Sequence, residues 1–130
     1  MDGKGVAKAK TGAFSLPVTF PSRIGESGGQ TSPEELMAAA HAACFAMAMN
    51  AALGKRGGKA AKTHVTATVA ADKGDSGIKI MSSKLKVVVE GLEGMTPAEF
   101  ATFVKEADKG CPVSNAYRGT MQIDVEGSVK

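Results

Sequence analysis

The sequence has no tryptophan, one tyrosine and five phenylalanines among 130 residues, so aromatic side chains contribute little to its core. Alanine, methionine, valine and leucine must fill the interior instead, and methionine packs adaptably. Dense basic runs are also missing, and the formal net charge is only +3, from 16 lysines and arginines against 13 acidic residues. This pattern predicts a soluble globular protein that does not bind nucleic acid.

Long hydrophobic runs are missing as well. No segment is expected to reach the roughly 18 apolar residues that a membrane span needs, and the opening MDGKGVAKAK has no apolar signal core. We therefore expect a cytoplasmic protein with no membrane partner. There are only two cysteines and no CxxC, and in a reducing compartment such cysteines are more often reactive or inert thiols than a bridge.

The length predicts a single domain over residues 1–130, which is enough chain to bury a core. A first helix is predicted in SPEELMAAAHAACFAMAMNAALG, because Ser32 is a good N-cap, Pro33 suits the first helical position and Glu35 completes a capping box. It should run to about Leu53 and end at Gly54. Nearly every face is apolar or alanine, so we expect this helix to be buried on all sides, in part by a partner chain.

The rest of the chain predicts strands and one further helix. GVAKAKTG is a candidate short strand, and FSLPVTFPSR is expected to be extended because of its two prolines. HVTATVAAD and IKIMSSKLKVVVEG alternate on either side of the turn KGDSG, which predicts an antiparallel hairpin. A second helix is predicted from Thr96 to Gly110, and MQIDVEGSVK is a closing strand. This order predicts an α+β fold.

The two cysteines are the main candidates for chemistry. Cys44 lies in the middle of the first helix, with His41 three residues earlier on nearly the same face, where it could orient or deprotonate the thiol. Cys111 in GCPVSNA precedes Pro112 and is the predicted N-cap of a helical turn, where backbone amides lower the pKa of a thiol. Each residue also has a purely structural explanation. Cys44 could be a small buried hydrophobe, His41 a hydrogen-bonded histidine and Cys111 an incidental helix cap.

Taken together, the cysteines are a candidate peroxidatic and resolving pair. A thiolate attacks a peroxide and becomes a sulfenic acid, which the second thiol converts to a disulfide. Such a thiolate needs positive charge beside it, and Arg23 is the upstream candidate unless it is a solvated loop residue. Glu34 precedes Cys44 by ten residues, about 15 Å along a straight helix, so only an antiparallel partner helix could bring it to that thiol. Its position is equally that of an ordinary first-turn carboxylate.

Three other functions use the same residues. His41, Cys44 and Cys111 could supply three metal ligands, although no second spaced pair accompanies them. Cys44 and His41 could form a hydrolase pair, although no third group or oxyanion motif is evident. A non-catalytic dimeric module could bind a small apolar ligand or sense redox state. The acidity of Cys44 separates this last alternative from a peroxidase.

The motif SPEELMAAAHAACFAMAM, followed 67 residues after Cys44 by CPVSNA, resembles the OsmC/Ohr family of thiol peroxidases. The family pattern has an Asn/Ser-Pro-Glu-Glu/Gln-Leu start, an Ala-Ala-Cys-Phe centre and a distant Cys-Pro-x-Ser. Both halves are present here in that order, and the resemblance extends from about Arg23 to the C-terminus. HAACF is more similar to the OsmC branch than to the Ohr branch.

The resemblance implies an intertwined α+β homodimer, with antiparallel sheets around a buried central helix and active sites at the subunit interface. It implies reduction of organic hydroperoxides, and less efficiently of hydrogen peroxide, with no metal, haem or flavin cofactor. Cys44 would be the peroxidatic cysteine, Cys111 the resolving cysteine, Glu34 the active-site glutamate and Arg23 the arginine that activates the thiolate. Turnover would need an external dithiol, of the kind that a lipoylated protein carries.

Some residues around the thiols are assigned less directly. His41 is a candidate supporting residue, and Arg118 is the cation that could replace Arg23 if Arg23 does not reach Cys44. An apolar pocket that favours alkyl hydroperoxides is expected, and its candidate lining residues are Phe45, Met47 and Met49 with Phe14 or Phe20.

Overall fold

A computed structural model describes residues 3–130 as an α+β protein with two sheets and four α-helices. Its elements are β1 (Lys4–Lys8), β2 (Ser15–Thr19), α1 (Phe20–Ile24), α2 (Pro33–Lys55), β3 (Lys62–Gly74), β4 (Gly77–Glu90), α3 (Pro97–Ala107), a 3-10 turn (Asp108–Gly110), α4 (Pro112–Tyr117) and β5 (Gln122–Val129). The predicted fold class is confirmed. Contacts divide the chain into two compact units, Met1–Met37 and Ala38–Lys130.

The first unit contains an antiparallel hairpin of β1 and β2, followed by the short helix α1. The expectation that FSLPVTFPSR is extended throughout is correct for β2 and wrong for α1. The side chain of Thr19 caps α1 by accepting the N–H of Ser22, and Pro21 lies in the first turn. A proline there costs no helical hydrogen bond, because the first N–H groups of a helix have no intrahelical partner.

Helix α2 begins as the sequence predicts. The hydroxyl oxygen of Ser32 accepts the N–H of Glu35 at 3.1 Å, and its carbonyl accepts the N–H of Leu36 at 3.0 Å. The carboxylate of Glu35 accepts a hydrogen bond from the hydroxyl of Thr31 at 2.8 Å. This bond ties the loop before α2 to its first turn.

The burial of α2 differs from the expectation. Its buried residues recur every three or four positions along a single face: Ala38, His41, Phe45, Met49 and Leu53. The residues that are exposed on the rest of its surface include Ala39, Ala40, Ala43, Met47 and Ala51. In the single chain α2 is therefore buried on one face only, and the expectation that a partner chain covers the rest stays a prediction.

Helix α2 is also long and apolar enough to cross a membrane by length and composition. The expectation that no segment reaches this threshold is therefore wrong, because alanine and methionine keep the helix apolar despite His41 and Asn50. The core helix of a soluble protein passes the same test, so this property alone assigns no role.

The second unit contains a three-stranded sheet in the order β3-β4-β5. Strands β3 and β4 form the predicted antiparallel hairpin, with an irregularity between Ala70 and Ala71. Strand β5 pairs with β4 in parallel, so the sheet is mixed, and the expectation of purely antiparallel sheets is wrong for this pair. A parallel neighbour requires a crossover connection, which α3 and α4 supply here.

The core of the second unit forms where α2, β4 and α3 meet. Along β4, Leu85, Val87 and Val89 are buried, whereas Lys84 and Lys86 are exposed, as the alternating pattern predicts. Helix α3 begins with the predicted capping box of Thr96 and Glu99 and contributes three of the large core side chains. Cys111 belongs to this same cluster. One of the two cysteines is therefore part of the core.

Candidate active site

The structure brings the two cysteines together within the second unit. Both are free thiols, Cys44 partly exposed on α2 and Cys111 fully buried before α4. Cys44 packs against the core cluster that contains Cys111, and Cys111 is near enough to raise the pKa of the Cys44 thiol. Cys111 follows Cys44 by 67 positions, and the β3–β4 hairpin and α3 lie between them, so sequence spacing alone could not place them together.

The start of α4 supplies backbone N–H groups to both sulfur atoms. Cys111 is the N-cap, as predicted, and its sulfur accepts the N–H of Ser114 at 3.5 Å. The backbone N–H of Val113 acts on Cys44 and lowers the pKa of its thiol. Two successive amides of one short helix therefore face the two cysteines.

The electrostatic surroundings of Cys44 are mixed. Burial raises the pKa of the Cys44 thiol most strongly, and the hydrogen bond and negative charge of Cys111 raise it further. The N–H of Val113 lowers this pKa but does not outweigh the other effects. Among the described residues, the groups that shift the pKa of Cys44 include no cation.

Arg23 and Glu34 form an ion pair within the first unit. The Nε of Arg23 donates to both carboxylate oxygens of Glu34, at 2.9 and 3.1 Å, and an Nη donates to Oε1 at 2.6 Å. Burial opposes ionisation of Glu34, but the hydrogen bonds from Arg23 and from its own backbone amide leave its pKa below the ordinary range. The bond to Glu34 raises the pKa of Arg23. Both candidate residues are thus charged and joined.

Arg118, the predicted replacement for Arg23, has a different partner. It is the C-cap of α4, and its Nη2 donates to Oδ2 of Asp108 at 2.8 Å. The other carboxylate oxygen of Asp108 is buried with no hydrogen-bond partner among the described residues. This pair fastens the end of α4 to the 3-10 turn, so Arg118 has a structural explanation that does not involve Cys44.

His41 is completely buried and hydrogen-bonded at both ring nitrogens. Its Nδ1 lies 2.6 Å from the hydroxyl of Ser83 on β4, and its Nε2 lies 2.6 Å from the hydroxyl of Ser114 on α4. The ring of Tyr117 meets it edge-on, with centroids 5.2 Å apart. Burial lowers the pKa of His41, so the ring is neutral near pH 7. With both nitrogens bonded to serines, His41 is not free to act as the base of a cysteine hydrolase.

Ser83 and Ser114 were not identified from the sequence as functional candidates. Ser83 occupies an inward position in the alternating pattern of β4, where an apolar residue is the norm, and its presence there is the signal that could have revealed it. Ser114 belongs to the CPVS segment, but its partner His41 lies 73 residues away. A polar residue at a core position predicts that a hydrogen-bond partner exists, but it does not identify that partner.

One of the earlier expectations about the site is wrong. Phe45 and Met49 lie fully buried in the core and do not line an accessible pocket, whereas Met47 is 71% exposed on the other side of α2. The alternative of a metal site at His41, Cys44 and Cys111 finds no support in the described residues. Among residues 3–130 no three His, Cys, Asp or Glu side chains are arranged to hold a metal ion, and the serines occupy both nitrogens of His41.

Comparison with known proteins gives one consistent result. Residues 25–126 match the family model of OsmC-like proteins. The chain is 38% identical over 128 residues to peroxiredoxin OsmC of Escherichia coli, which covers 95% of this chain and 86% of that protein. It is 34% identical over 126 residues to an organic hydroperoxide resistance protein of Xanthomonas axonopodis, covering 94% and 83%. A solved organic hydroperoxide resistance protein OsmC of Legionella pneumophila superposes with a TM-score of 0.78 at 26% identity, covering 99% and 97%.

Proposed function

Because this chain belongs to the OsmC family, we propose that it is a thiol-dependent peroxidase that reduces organic hydroperoxides, and hydrogen peroxide less efficiently. The names of its relatives in Escherichia coli and Xanthomonas support a peroxidase-type role. The observation that carries the proposal is the proximity of Cys44 and Cys111, since Cys44 packs against the core cluster that contains Cys111 and Cys111 raises its pKa. A sulfenic acid formed on one sulfur would meet the other without rearrangement of the fold.

The proposed reaction begins at Cys44, the more exposed thiol. Its thiolate attacks the distal oxygen of the hydroperoxide, the O–O bond breaks, and the departing alkoxide takes a proton to leave as the alcohol. Cys44 is now a sulfenic acid, oxidised by two electrons. The sulfur of Cys111 then attacks the sulfur of Cys44, hydroxide leaves as water with one proton, and a disulfide forms. An external dithiol returns two electrons and two protons by exchange.

The raised pKa of Cys44 has to be overcome for this chemistry at neutral pH. The N–H of Val113 lowers this pKa in part. We propose that Arg23, held and oriented by Glu34, supplies the remaining positive charge to Cys44 in an assembled homodimer. The exposed alanine and methionine residues of α2 are the surface that a second copy would cover in this assembly. The proposal assigns no cofactor, and the external dithiol is of the lipoyl type.

A single-turnover experiment tests the proposal. Reduced protein is mixed with one equivalent of an alkyl hydroperoxide, and free thiols are counted before and after. We expect rapid loss of both thiols and full recovery with a dithiol. Cys44→Ser should consume no hydroperoxide, whereas Cys111→Ser should stop at the sulfenic acid after one turnover. Normal hydroperoxide consumption by Cys44→Ser would overturn the assignment.

One observation favours a second candidate function, a non-catalytic module that binds a small apolar ligand or senses redox state. Burial and Cys111 raise the pKa of Cys44. A raised pKa is compatible with an inert thiol, whereas a peroxidase needs that pKa to be lowered again. Rates of site-specific alkylation as a function of pH distinguish the two. A Cys44 that reacts with hydroperoxide no faster than a free cysteine at the same pH would favour the binding module.

A further inference from the structure

The buried link between His41 and Ser114 joins the two helices that carry the cysteines. His41 precedes Cys44 by three residues on α2, and Ser114 follows Cys111 by three residues at the start of α4. The ring nitrogen and hydroxyl oxygen lie 2.6 Å apart. Ser114 also donates its backbone N–H to the sulfur of Cys111. One serine therefore contacts His41 through its side chain and Cys111 through its backbone.

Helix α4 depends on such contacts for its position. It has six residues, fewer than an isolated helix needs to be stable. Its end is held by the Arg118–Asp108 ion pair, and its start by the hydrogen bond from Ser114 to His41. Hydrogen bonds are directional, so this link sets the orientation of the first turn, which an apolar contact would leave adjustable.

The other nitrogen of His41 keeps the ring in place. Ser83 on β4 holds Nδ1, so the ring is bonded to the sheet on one side and to α4 on the other. A neutral imidazole has one donor and one acceptor, and each serine hydroxyl can serve as either, so the network is fully paired without charge. A leucine of similar size would leave two buried hydroxyls unpaired.

We propose that His41, acting through Ser114, is a positioning residue that holds Cys111 against Cys44 for disulfide formation. Its ring nitrogens bond to Ser83 and Ser114, so its influence on Cys111 passes through Ser114. The kinetic part of this inference rests on the proposed peroxidase function. The geometric part of the inference does not rest on that function, because two thiols held close together form a disulfide with any suitable oxidant.

The test measures how readily the disulfide forms without a peroxide. Each variant is equilibrated with mixtures of reduced and oxidised dithiothreitol, whose cyclic disulfide accepts two electrons and two protons from the two thiols. The fraction of Cys44–Cys111 disulfide gives an equilibrium constant. We expect Ser114→Ala and His41→Leu to lower this constant about tenfold, which is the effect expected from the loss of one buried hydrogen bond. Ser114→Thr, which keeps the hydroxyl, should restore it.

Ser83→Ala is the matched control. It also removes one hydrogen bond from His41 in the core, but it leaves the link to α4 in place. We expect its equilibrium constant to stay within about threefold of the natural protein, although its free energy of unfolding falls as far as that of Ser114→Ala. Equal losses in both variants, or no loss in Ser114→Ala and His41→Leu, would overturn the inference.

A stopped-flow experiment with an alkyl hydroperoxide completes the test. Ser114→Ala should form the sulfenic acid at Cys44 at the natural rate and convert it to the disulfide about tenfold more slowly, whereas a general structural defect would slow both steps. If the natural protein fails to react with hydroperoxide but still shows the expected dithiothreitol equilibria, the peroxidase proposal fails and the positioning role stands.

Discussion

The guanidinium of Arg23 binds the carboxylate of Glu34 through two of its nitrogens, with Nη2 and Nε lying 2.6 and 2.9 Å from the same oxygen, Oε1. The side chains are 27% and 12% exposed. The pair is therefore screened by solvent much less than a surface ion pair.

We predict that a double-mutant cycle of Arg23→Gln and Glu34→Gln gives a coupling free energy of about 1–2 kcal/mol, since charge-assisted, partly buried hydrogen bonds exceed exposed ones. Urea unfolding of the four proteins measures it. The control is Arg56–Glu106, whose nitrogen and oxygen also lie 2.6 Å apart but whose side chains are 54% and 49% exposed. Coupling there should lie below about 0.5 kcal/mol, and equal values for both pairs would contradict the prediction.

The pKa of Cys44 should respond in opposite directions to two substitutions. Cys111→Ser should lower it, because the neighbouring sulfur raises it through a hydrogen bond and a negative charge. Arg23→Gln should raise it if Arg23 supplies the activating charge. The measurement is the pH dependence of Cys44 alkylation, followed by mass spectrometry of the labelled peptide.

Lys84→Gln on the exposed face of β4 is a control for the loss of one positive charge. It should leave the alkylation profile unchanged. A profile that is also unchanged by Arg23→Gln would remove Arg23 from the mechanism.

The stability of the protein should decrease as the pH falls below about 6.5 because of His41. Burial lowers its pKa in the folded state from the ordinary 6.5, although the charge of Asp108 opposes this shift and that of Arg118 adds to it. In this range the unfolded chain binds a proton that the folded chain does not, so the free energy of unfolding falls as the pH falls. One proton limits the slope to about 1.4 kcal/mol per pH unit.

His41→Leu, which cannot titrate, is the comparison. Its unfolding free energy should vary less over this range, measured by urea titration at each pH. The carboxylates with lowered pKa values, Glu34, Glu90 and Glu99, lose their contributions only at lower pH, below about 4.5. Parallel pH profiles for the variant and the natural protein would refute the assignment to His41.

The exposed part of α2 leads to a prediction about assembly. Met47 is 71% exposed in the single chain, on a helix that is apolar nearly all round. If a second copy covers this surface, Met47→Lys would bury an unpaired charge, and the protein should become monomeric in sedimentation velocity. Met81→Lys makes the same change at an exposed residue of β4 and should not alter the mass. An unchanged mass for Met47→Lys would exclude this face as the interface.

Local signals in the sequence were sufficient for much of the fold. Capping residues determine where α2, α3 and α4 begin, because these contacts lie within three residues of one another. Alternation along β4 predicts its buried face for the same reason. Helix α1 was missed because Pro21 is compatible with both an extended segment and a first helical turn, and only the cap at Thr19 distinguishes them.

By itself, then, the sequence determined most of the elements, the family motif and the two thiols, since residue type, short-range spacing and local hydrogen bonds specify these. The tertiary structure alone decided that β5 runs parallel to β4, that Phe45 and Met49 belong to the core, and that Ser83 and Ser114 hold His41. Those features depend on contacts between residues far apart in sequence, which form only when the whole chain packs. The proximity of Cys44 and Cys111 is of the same kind, because α2 and α4 meet only in the folded chain.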